Sequence, residues 1–422
     1  MKHIVIVGGG FAGINLARSL GGNKHYTVTL VDRNNYNFFP PLIYQVATAF
    51  LEPSNISYPF RKLFRKKNNL FFRLGSLEKV VPEQNKIVLN NGELSYDYLV
   101  FATGAETNYF GMQNVKARAM PMKTLHDAIE MRNRMLQQLE QAIITTDETE
   151  RKKLLTFVIA GGGPTGVEIS GMLAEMGRTI LQKDYPELQG ARGEIYLVDG
   201  GEALLSPMSR QSQKNTYDAL RRMGVRIRLN VHVKDYVNDT VIMDDGSSIP
   251  AKALIWAAGV TAKMFDGIPA GSYGRGKRML ADAYNKVQGT ENIYAIGDTC
   301  LQLHEPQWPN GHPQLAQTAI QQGKHLARNF KAMALGKPVT PFKYHDKGTM
   351  AIIGRNKAVA DLPKPPLHFS GFIAFFLWLF VHLMSLINYR NRIKTLYNWT
   401  VAYFSKDQSL RMIIRPDDEN NT

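Results

Sequence analysis

A short, wholly apolar run, Ile4-Val5-Ile6-Val7, is followed at once by Gly8, Gly10 and Gly13 in the spacing G-x-G-x-x-G, and then by the helical pattern of Ile14 to Leu20. Strand, glycine turn and helix in this order leave the chain few folds to adopt. The first glycine permits the tight turn, the second lets backbone approach a pyrophosphate, and the third lets helix pack on strand. The free N–H groups at the helix N-terminus then meet the anion. Thr27 to Val31 supplies a second strand ending at Asp32, 24 positions after Gly8, where a carboxylate can accept from a ribose hydroxyl. This is a dinucleotide cradle, and it occurs twice. Thr156 to Ala160 is another apolar strand, Gly161, Gly163 and Gly166 repeat the spacing, Val167 to Met176 continues as a helix, and Ile195 to Val198 ends in Asp199. Asp199 lies 38 positions after Gly161 because a polar segment, Gln182 to Arg192, is inserted before the strand. Two nucleotides are implied, and the expected fold class is α/β with two tandem Rossmann-like dinucleotide-binding domains.

The single cysteine, Cys300, excludes an internal disulfide framework, a cysteine-ligated zinc or iron–sulfur cluster, and the paired-thiol redox centre of disulfide reductases. No metal is expected. The 422 residues suffice for two or three domains. A formal charge of +15 asks for an anionic partner: nucleic acid, a phospholipid surface or anionic cofactors. The densest basic run, Arg61, Lys62, Arg65, Lys66 and Lys67, lacks a nucleic-acid-binding signature around it, which leaves a solvated face or a lipid-facing patch. Met1 to His3 leads directly into the first strand with no signal peptide, so the body of the protein is expected in the cytoplasm.

Between the cradles, Asn34 to Ala47 is aromatic and broken by Pro40 and Pro41, which suits either a core plug or the lining of a flat ring. Tyr98 to Phe101 reads as a buried strand ending in Ala102-Thr103-Gly104, small residues that let the chain pass close to a nucleotide. Thr124 to Ile143 is helical and Thr145 to Lys153 a polar connection. Ala253 to Trp256, ending in Ala257-Ala258-Gly259, echoes the Tyr98 to Gly104 stretch, as an internal duplication would. Asn292 to Ile296 is a buried strand ending in Gly297-Asp298, whose carboxylate can accept from a ribityl hydroxyl, with a helix expected shortly after. Leu315 to Gly323 reads as a helix, with Gln317 and Gln321 on one face as neutral amides able to hydrogen-bond a carbonyl such as that of a quinone.

Composition shifts after Pro363-Lys364-Pro365-Pro366, a stiff separator: Leu367 to Tyr389 contains no Asp, Glu, Lys or Arg. Arg390, Arg392 and Lys394 follow, then a second aromatic segment, Leu396 to Phe404. Three readings compete. A spanning helix needs about 20 apolar residues, and Ser370, His382, Ser385 and Asn388 interrupt the run. An interfacial anchor explains aromatics and basic residues together. Burial against protein, or dimerisation, is the third.

Both cradles, Gly297-Asp298, the run Ala316-Gln317-x-Ala319-x-Gln321-Gln322-Gly323, the Tyr44-Gln45-Val46-Ala47 loop and the amphipathic tail together resemble the type II NADH:quinone oxidoreductases over nearly the whole chain. The resemblance implies a single-subunit, monotopic respiratory flavoprotein on the cytoplasmic face of the cell membrane that does not pump protons. It would pass a hydride from NADH to FAD and two electrons on to ubiquinone or menaquinone. The parts it implies are an FAD-binding first segment over 1–120, a connecting helix over 121–152, an NADH-binding domain over 153–265, a second FAD segment over 266–340, and a membrane-association region over 341–422. Cofactor-binding residues would be Gly8, Gly10, Phe11, Ala12, Gly13, Asp32, Arg33, Ala102, Thr103, Gly104, Gly297, Asp298, Ala316 and Gln317, with Gly161, Gly163, Thr165, Gly166, Asp199 and Gly259 around the second cradle. Glu168, just inside the second helix, matches a family carboxylate near nicotinamide and flavin; otherwise it is a first-turn acid that favours the helix dipole. Gln317 and Gln321 match residues that border the quinone site, giving Glu168, Gln317 and Gln321 as catalytic candidates. Phe375 stands where several family members carry a lysine, so Lys347 or ordered water would substitute. Asp199 disfavours a 2′-phosphate, so NADH should be preferred to NADPH. A homodimer through the tail fits the family. The rivals are a soluble reductase feeding a ferredoxin-like partner, which leaves the tail unexplained, and a nucleic-acid-binding flavoprotein, for which no module is present.

Overall fold

Hydrophobic runs of four to seven residues, β-branched and bounded by glycine, set the strands, and the computed structural model describes residues 1–179, 181–191, 193–405 and 410–414 of the chain. Lys2–Val7 (β1) leads into Phe11–Leu20 (α1), and Tyr26–Asp32 (β2) follows. Ile43–Ala47 is a short helix (α2), after which come Leu70–Leu74 (β3), Tyr98–Phe101 (β4) and Met120–Pro121 (β5). Leu125–Ile144 (α3) starts at a capping box: the Thr124 hydroxyl accepts from Asp127 N at 3.1 Å and the Asp127 carboxylate accepts from Thr124 N at 2.8 Å. Then come Phe157–Ala160 (β6), Pro164–Thr179 (α4), Ile195–Val198 (β7), Arg210–Arg222 (α5), Val225–Arg228 (β8) and Ala253–Trp256 (β9). Ile293–Ala295 (β10) and Ala316–Ala334 (α6) precede a C-terminal part made of Thr349–Gly354 (β11), Lys357–Pro363 (β12), Pro366–Ser370 (β13), Gly371–Ser385 (α7) and Tyr389–Ser405 (α8).

The chain forms two compact units, one of Met1–Phe38, Ser57–Glu106 and Val260–Lys347, the other of Phe39–Ile56, Thr107–Gly259 and Gly348–Thr422. The first holds a parallel sheet of order β10-β4-β1-β2-β3, with Ile4 between Val28 and Tyr98. The second holds a parallel sheet of order β5-β9-β6-β7-β8, with Phe157 between Ile195 and Ala253. The duplication read from the sequence is therefore a duplication of sheet order. The strands next to each cradle are buried on both faces, which is why they read as continuous apolar runs instead of alternating ones.

Several elements differ from the sequence reading, each for a local reason. The polar connection of 145–153 contains a helix, Glu148–Leu155, because Asp147 caps Thr149 N at 2.8 Å. The helix expected soon after Asp298 begins only at Ala316, with a 3-10 turn at Gly297–Thr299 and a strand at Cys300–Gln302 between them. The proline separator is the turn of the β12–β13 hairpin. The aromatic loop folds as a plug: Phe39–Ile56 belongs to the second unit, where α2 is buried and packs on α3 and α4.

The C-terminal part closes on α4 backbone to backbone. A Cβ on Gly171 would overlap the Ile353 carbonyl, so β11 lies directly against that helix. α8 is inside out. Asn391, Thr395 and Trp399 face inward, and Asn391 Nδ2 donates to Asn55 O at 2.8 Å, while Ile393, Leu396, Tyr397, Val401 and Phe404 are exposed. On α7, Ala374, Phe375 and Trp378 are buried and Phe372, Ile373, Phe376 and Phe380 are exposed. No helix among the described residues is long and apolar enough to cross a membrane; at 15 residues α7 is about 22 Å long, short of the hydrocarbon thickness. Arg392 caps α7, donating to Met384 O at 2.8 Å and Leu386 O at 3.1 Å.

Gly171→Val is expected to destabilise the protein by about 3 kcal/mol or more through overpacking, read as a lowered midpoint in calorimetry. A loss below about 0.5 kcal/mol, as on an open surface, would show that β11 does not lie against α4.

Candidate active site

In both cradles the first glycine has a positive φ, 105° at Gly8 and 112° at Gly161, and a Cβ would overlap the carbonyl of Ala102 or of Ala257 respectively. The third glycine, Gly13 or Gly166, would overlap the carbonyl of the first. The middle ones, Gly10 and Gly163, have nothing within 4 Å of where a Cβ would stand, so that side of each turn is open to a ligand. Asp32 holds the first turn: its Oδ2 accepts from Gly9 N at 2.6 Å and its Oδ1 from Asn34 N at 2.8 Å. Asp199 holds the second in the same way, Oδ2 accepting from Gly162 N at 2.5 Å and Oδ1 from Gly201 N at 2.7 Å. The inserted segment therefore lengthens the spacing without moving the acid, although its Arg192 lies outside the described residues. Burial raises the Asp32 carboxyl above its ordinary value, opposed by the two backbone N–H groups and by Arg33, whose side chain is exposed.

In the first unit, Gly297 has φ 74° and stands where a Cβ would come within 3.1 Å of Ala12 Cβ and 3.5 Å of Ala319 Cβ. Gly323 likewise meets the Ala12 carbonyl, so the small residues of α6 bring it onto α1 backbone to backbone. Gly8 to Gly13, Ala102 to Gly104, Gly297, Asp298 and Ala316 are thereby gathered around one turn. Asp298 accepts through its main-chain carbonyl from Gln314 Nε2 at 3.1 Å. The Thr103 hydroxyl oxygen is buried with no protein partner among the described residues, an orphan that a bound ligand can satisfy. Gln317 and Gln321 share a face of α6, as expected. Gln317 Oε1 accepts from Lys347 N at 2.9 Å, and Gln321 Oε1 accepts from His345 N at 3.0 Å while its Nε2 donates to His345 O at 2.8 Å. Both amides thus hold the backbone of 345–347, and the Lys347 side chain is exposed.

In the second unit, Gly163, Thr165 and Gly166 open α4, and Glu168 follows them one turn into the helix. Gly259, at φ 98°, faces the ring of Phe110. Glu168 is only 7% exposed; its Oε1 accepts from Ile352 N at 3.4 Å, and burial raises its carboxyl well above 4.5, opposed by that N–H and by the Trp378 indole. Trp378 stacks on His382 with ring centroids 3.9 Å apart. Phe375 lies buried on the same helix.

Four residues that the sequence reading gave no site role are placed by the structure in polar contacts. Gln322 Oε1 accepts from Gly297 N at 2.6 Å, although its presence in an amide-rich run was a signal. Tyr44 and Gln45 are buried beside α4, with Gln45 Nε2 donating to the Tyr44 hydroxyl at 3.0 Å and Gln45 Oε1 accepting from Trp399 Nε1 at 2.7 Å. Trp399 sits in the aromatic tail, where periodicity alone gave no reason to look inward. A cavity of about 910 Å³ in the second unit, lined by residues such as Leu136, Leu155, Leu173 and Met223, includes none of the candidate residues.

Two cradles open at their middle glycines, each with a fixed carboxylate beside it, and the orphaned Thr103 hydroxyl fit a pair of dinucleotides. The pyridine nucleotide-disulphide oxidoreductase family matches residues 2–323, and the NDH2 C-terminal domain matches residues 346–407. The type II NADH:quinone oxidoreductase Ndh of Mycobacterium tuberculosis is 33% identical, over 96% of this chain and 88% of its own. The Haemophilus influenzae type II NADH:quinone oxidoreductase is 30% identical, over 91% and 93%. In fold, the chain superposes on NDH2 of Plasmodium falciparum, solved in complex with NADH, with a TM-score of 0.88 at 22% identity, covering 98% of this chain and 100% of that one. The sulfide:quinone oxidoreductase of Aquifex aeolicus shares the fold at a TM-score of 0.73 and 19% identity, over 99% and 96%. With relatives at 30% identity or more over about nine tenths of their length and a family match over three quarters of its residues, the chain belongs to the type II NADH:quinone oxidoreductases.

Proposed function

We propose that the protein passes electrons from NADH to a membrane quinone without pumping protons, holding FAD at the first cradle and NADH at the second. NADH:quinone oxidoreduction is the family's activity and FAD and NADH are its cofactors. The observation that carries the finer reading is the buried Glu168 carboxyl on the helix that opens at the second cradle. Bound FAD would supply the two-electron chemistry that links NADH to the quinone. The chain does the rest. Gly8, Gly10, Phe11, Ala12 and Gly13 receive the FAD pyrophosphate at the N-terminus of α1, with Asp32 and Arg33 beside the adenosine ribose. Ala102, Thr103, Gly104, Gly297, Asp298, Ala316 and Gln317 hold the remainder. Gly161, Gly163, Thr165, Gly166 and Gly259 receive NADH, and Asp199 repels a 2′-phosphate. Glu168 holds a proton for the quinone, and Gln317 and Gln321 border the quinone site by fixing 345–347.

We place the protein on the cytoplasmic membrane face through α7 and α8. The support is their outward apolar side, with Phe376 54% and Phe404 78% exposed, and the net charge of +15, which favours anionic lipid. A homodimer would cover part of the same side.

Anaerobic mixing of the detergent-purified protein with NADH should bleach the flavin absorbance, and a short-chain quinone should restore it. Bleaching without recovery would remove the quinone assignment. Phe376→Glu with Phe404→Glu should lose sedimentation with anionic vesicles by about tenfold while keeping NADH-dependent bleaching; unchanged sedimentation would place the membrane contact elsewhere. Glu168 also makes a stability prediction. The folded state binds its proton more tightly than the unfolded chain, so its contribution is full below 4.5 and declines as pH rises from there toward the folded value. Glu168→Gln keeps the acceptor for Ile352 N and removes this decline. Its stability relative to the parent should therefore grow between about pH 5 and about pH 8 in calorimetric scans, and parallel curves would mean that Glu168 is charged in the fold.

A further inference from the structure

Turnover consumes one proton from water, because NADH + H⁺ + quinone gives NAD⁺ + quinol and the hydride brings only one of the two hydrogens. Glu168 is too buried to exchange it directly with solvent. α4 turns a second carboxyl toward the same strand. Glu175 stands seven residues on, from 168 to 175, which is two helical turns and about 10 Å along one face. β11 runs along that face: Ile352 N donates to Glu168, the Ile353 carbonyl fills the place of a Gly171 side chain, and Arg355 N donates to Glu175 Oε1. Three strand residues also span about 10 Å, so the two carboxyls are pinned at the ends of one strip. Glu175 is the outer of the two, half-buried where Glu168 is buried. The third group is Tyr44, 1% exposed on α2, which packs on α4 and feels the charge of both glutamates. Its hydroxyl accepts from Gln45 Nε2 and so keeps its own proton available to donate.

We propose that Glu175 and Tyr44 form the inlet that returns a proton from water to Glu168 in each turnover. The inference rests on the role given to Glu168 above. Water protonates the Glu175 carboxylate; the Tyr44 hydroxyl gives its proton to the Glu168 carboxylate left by quinone protonation and regains one from Glu175, with ordered water bridging the stations. At each station one O–H bond breaks and one forms, and the electron pairs stay on oxygen. The direction is inward because the surroundings differ. Burial raises both carboxyls above their ordinary value; at Glu175 the Arg355 N–H and the nearby charges of Lys357, Arg355 and Arg178 oppose it, whereas at Glu168 the opposition comes from Ile352 N and the Trp378 indole alone among the described residues. His382, stacked on Trp378, is pushed down to about 4 by burial and stays neutral.

Glu175→Gln keeps an acceptor for Arg355 N, so it tests the proton and not the strut. In the full-length, FAD-loaded enzyme it should leave NADH-driven bleaching unchanged, slow quinone-driven recovery about tenfold, and raise the solvent deuterium isotope effect of that step. Tyr44→Phe should do the same, and a small weak acid in the buffer should restore the rate of Glu175→Gln. In the resting enzyme without substrates, the infrared band of the protonated Glu168 carboxyl, identified by its loss in Glu168→Gln, should exchange with D₂O more slowly in Glu175→Gln. Parental recovery and exchange in Glu175→Gln, with Glu168→Gln impaired, would overturn the inlet and leave the role of Glu168 standing. Parental recovery in Glu168→Gln would overturn that role itself. Loss of the bleaching step in Glu175→Gln would make the residue a strut, which also overturns the inlet.

Discussion

A carboxylate arriving at the end of the second strand and accepting the middle N–H of the glycine turn is the interaction on which both halves of this enzyme depend. Asp32 does this for Gly9 at 2.6 Å and Asp199 for Gly162 at 2.5 Å. A charge-assisted bond of this kind contributes about 1.5–3 kcal/mol. Its greater consequence is geometric. With the turn pinned, the first and third glycines are pressed against carbonyls, and the open side of the middle glycine faces outward with the helix N-terminus behind it. An anion site is then a by-product of closing the turn.

The second dependence is the contact of β11 with α4. Because Gly171 has no side chain, the strand reaches the helix backbone, and the C-terminal part joins the second unit along the face that carries Glu168 and Glu175. The strand N–H groups find carboxyl oxygens, so the buried acids are part of the joint. α7 turns Trp378 inward, stacked on His382, and α8 turns Trp399 inward, where its Nε1 donates to Gln45 Oε1. The outer sides of both helices are left apolar, and that is the side given to the proposed membrane contact.

The features legible in the sequence were those enforced by short-range geometry. G-x-G-x-x-G after a buried strand admits little else, so Gly8, Gly10, Gly13, Gly161, Gly163 and Gly166 occupy the positions their spacing implied. The echo of Ala102-Thr103-Gly104 in Ala257-Ala258-Gly259 reflects one steric demand met twice. Asp199 was less legible, since an insertion changes the count without changing where the strand ends. Tyr44, Gln45, Gln322, Trp399 and Glu175 gave weaker signals, because a buried amide or indole is recognised by its partner, and their partners lie elsewhere in the chain.

The amino-acid sequence by itself determined the two cradles, the parallel α/β class and the family, because each follows from residues close together or from composition. The tertiary structure alone decided which side of the tail helices is covered, that the aromatic loop is a plug in the second unit, and that Gln317 and Gln321 hold the backbone of 345–347. Those outcomes depend on which surfaces meet. Helical periodicity shows that a face exists, but whether Asn391 or Phe404 turns inward is set by the carbonyls and cavities that distant segments present.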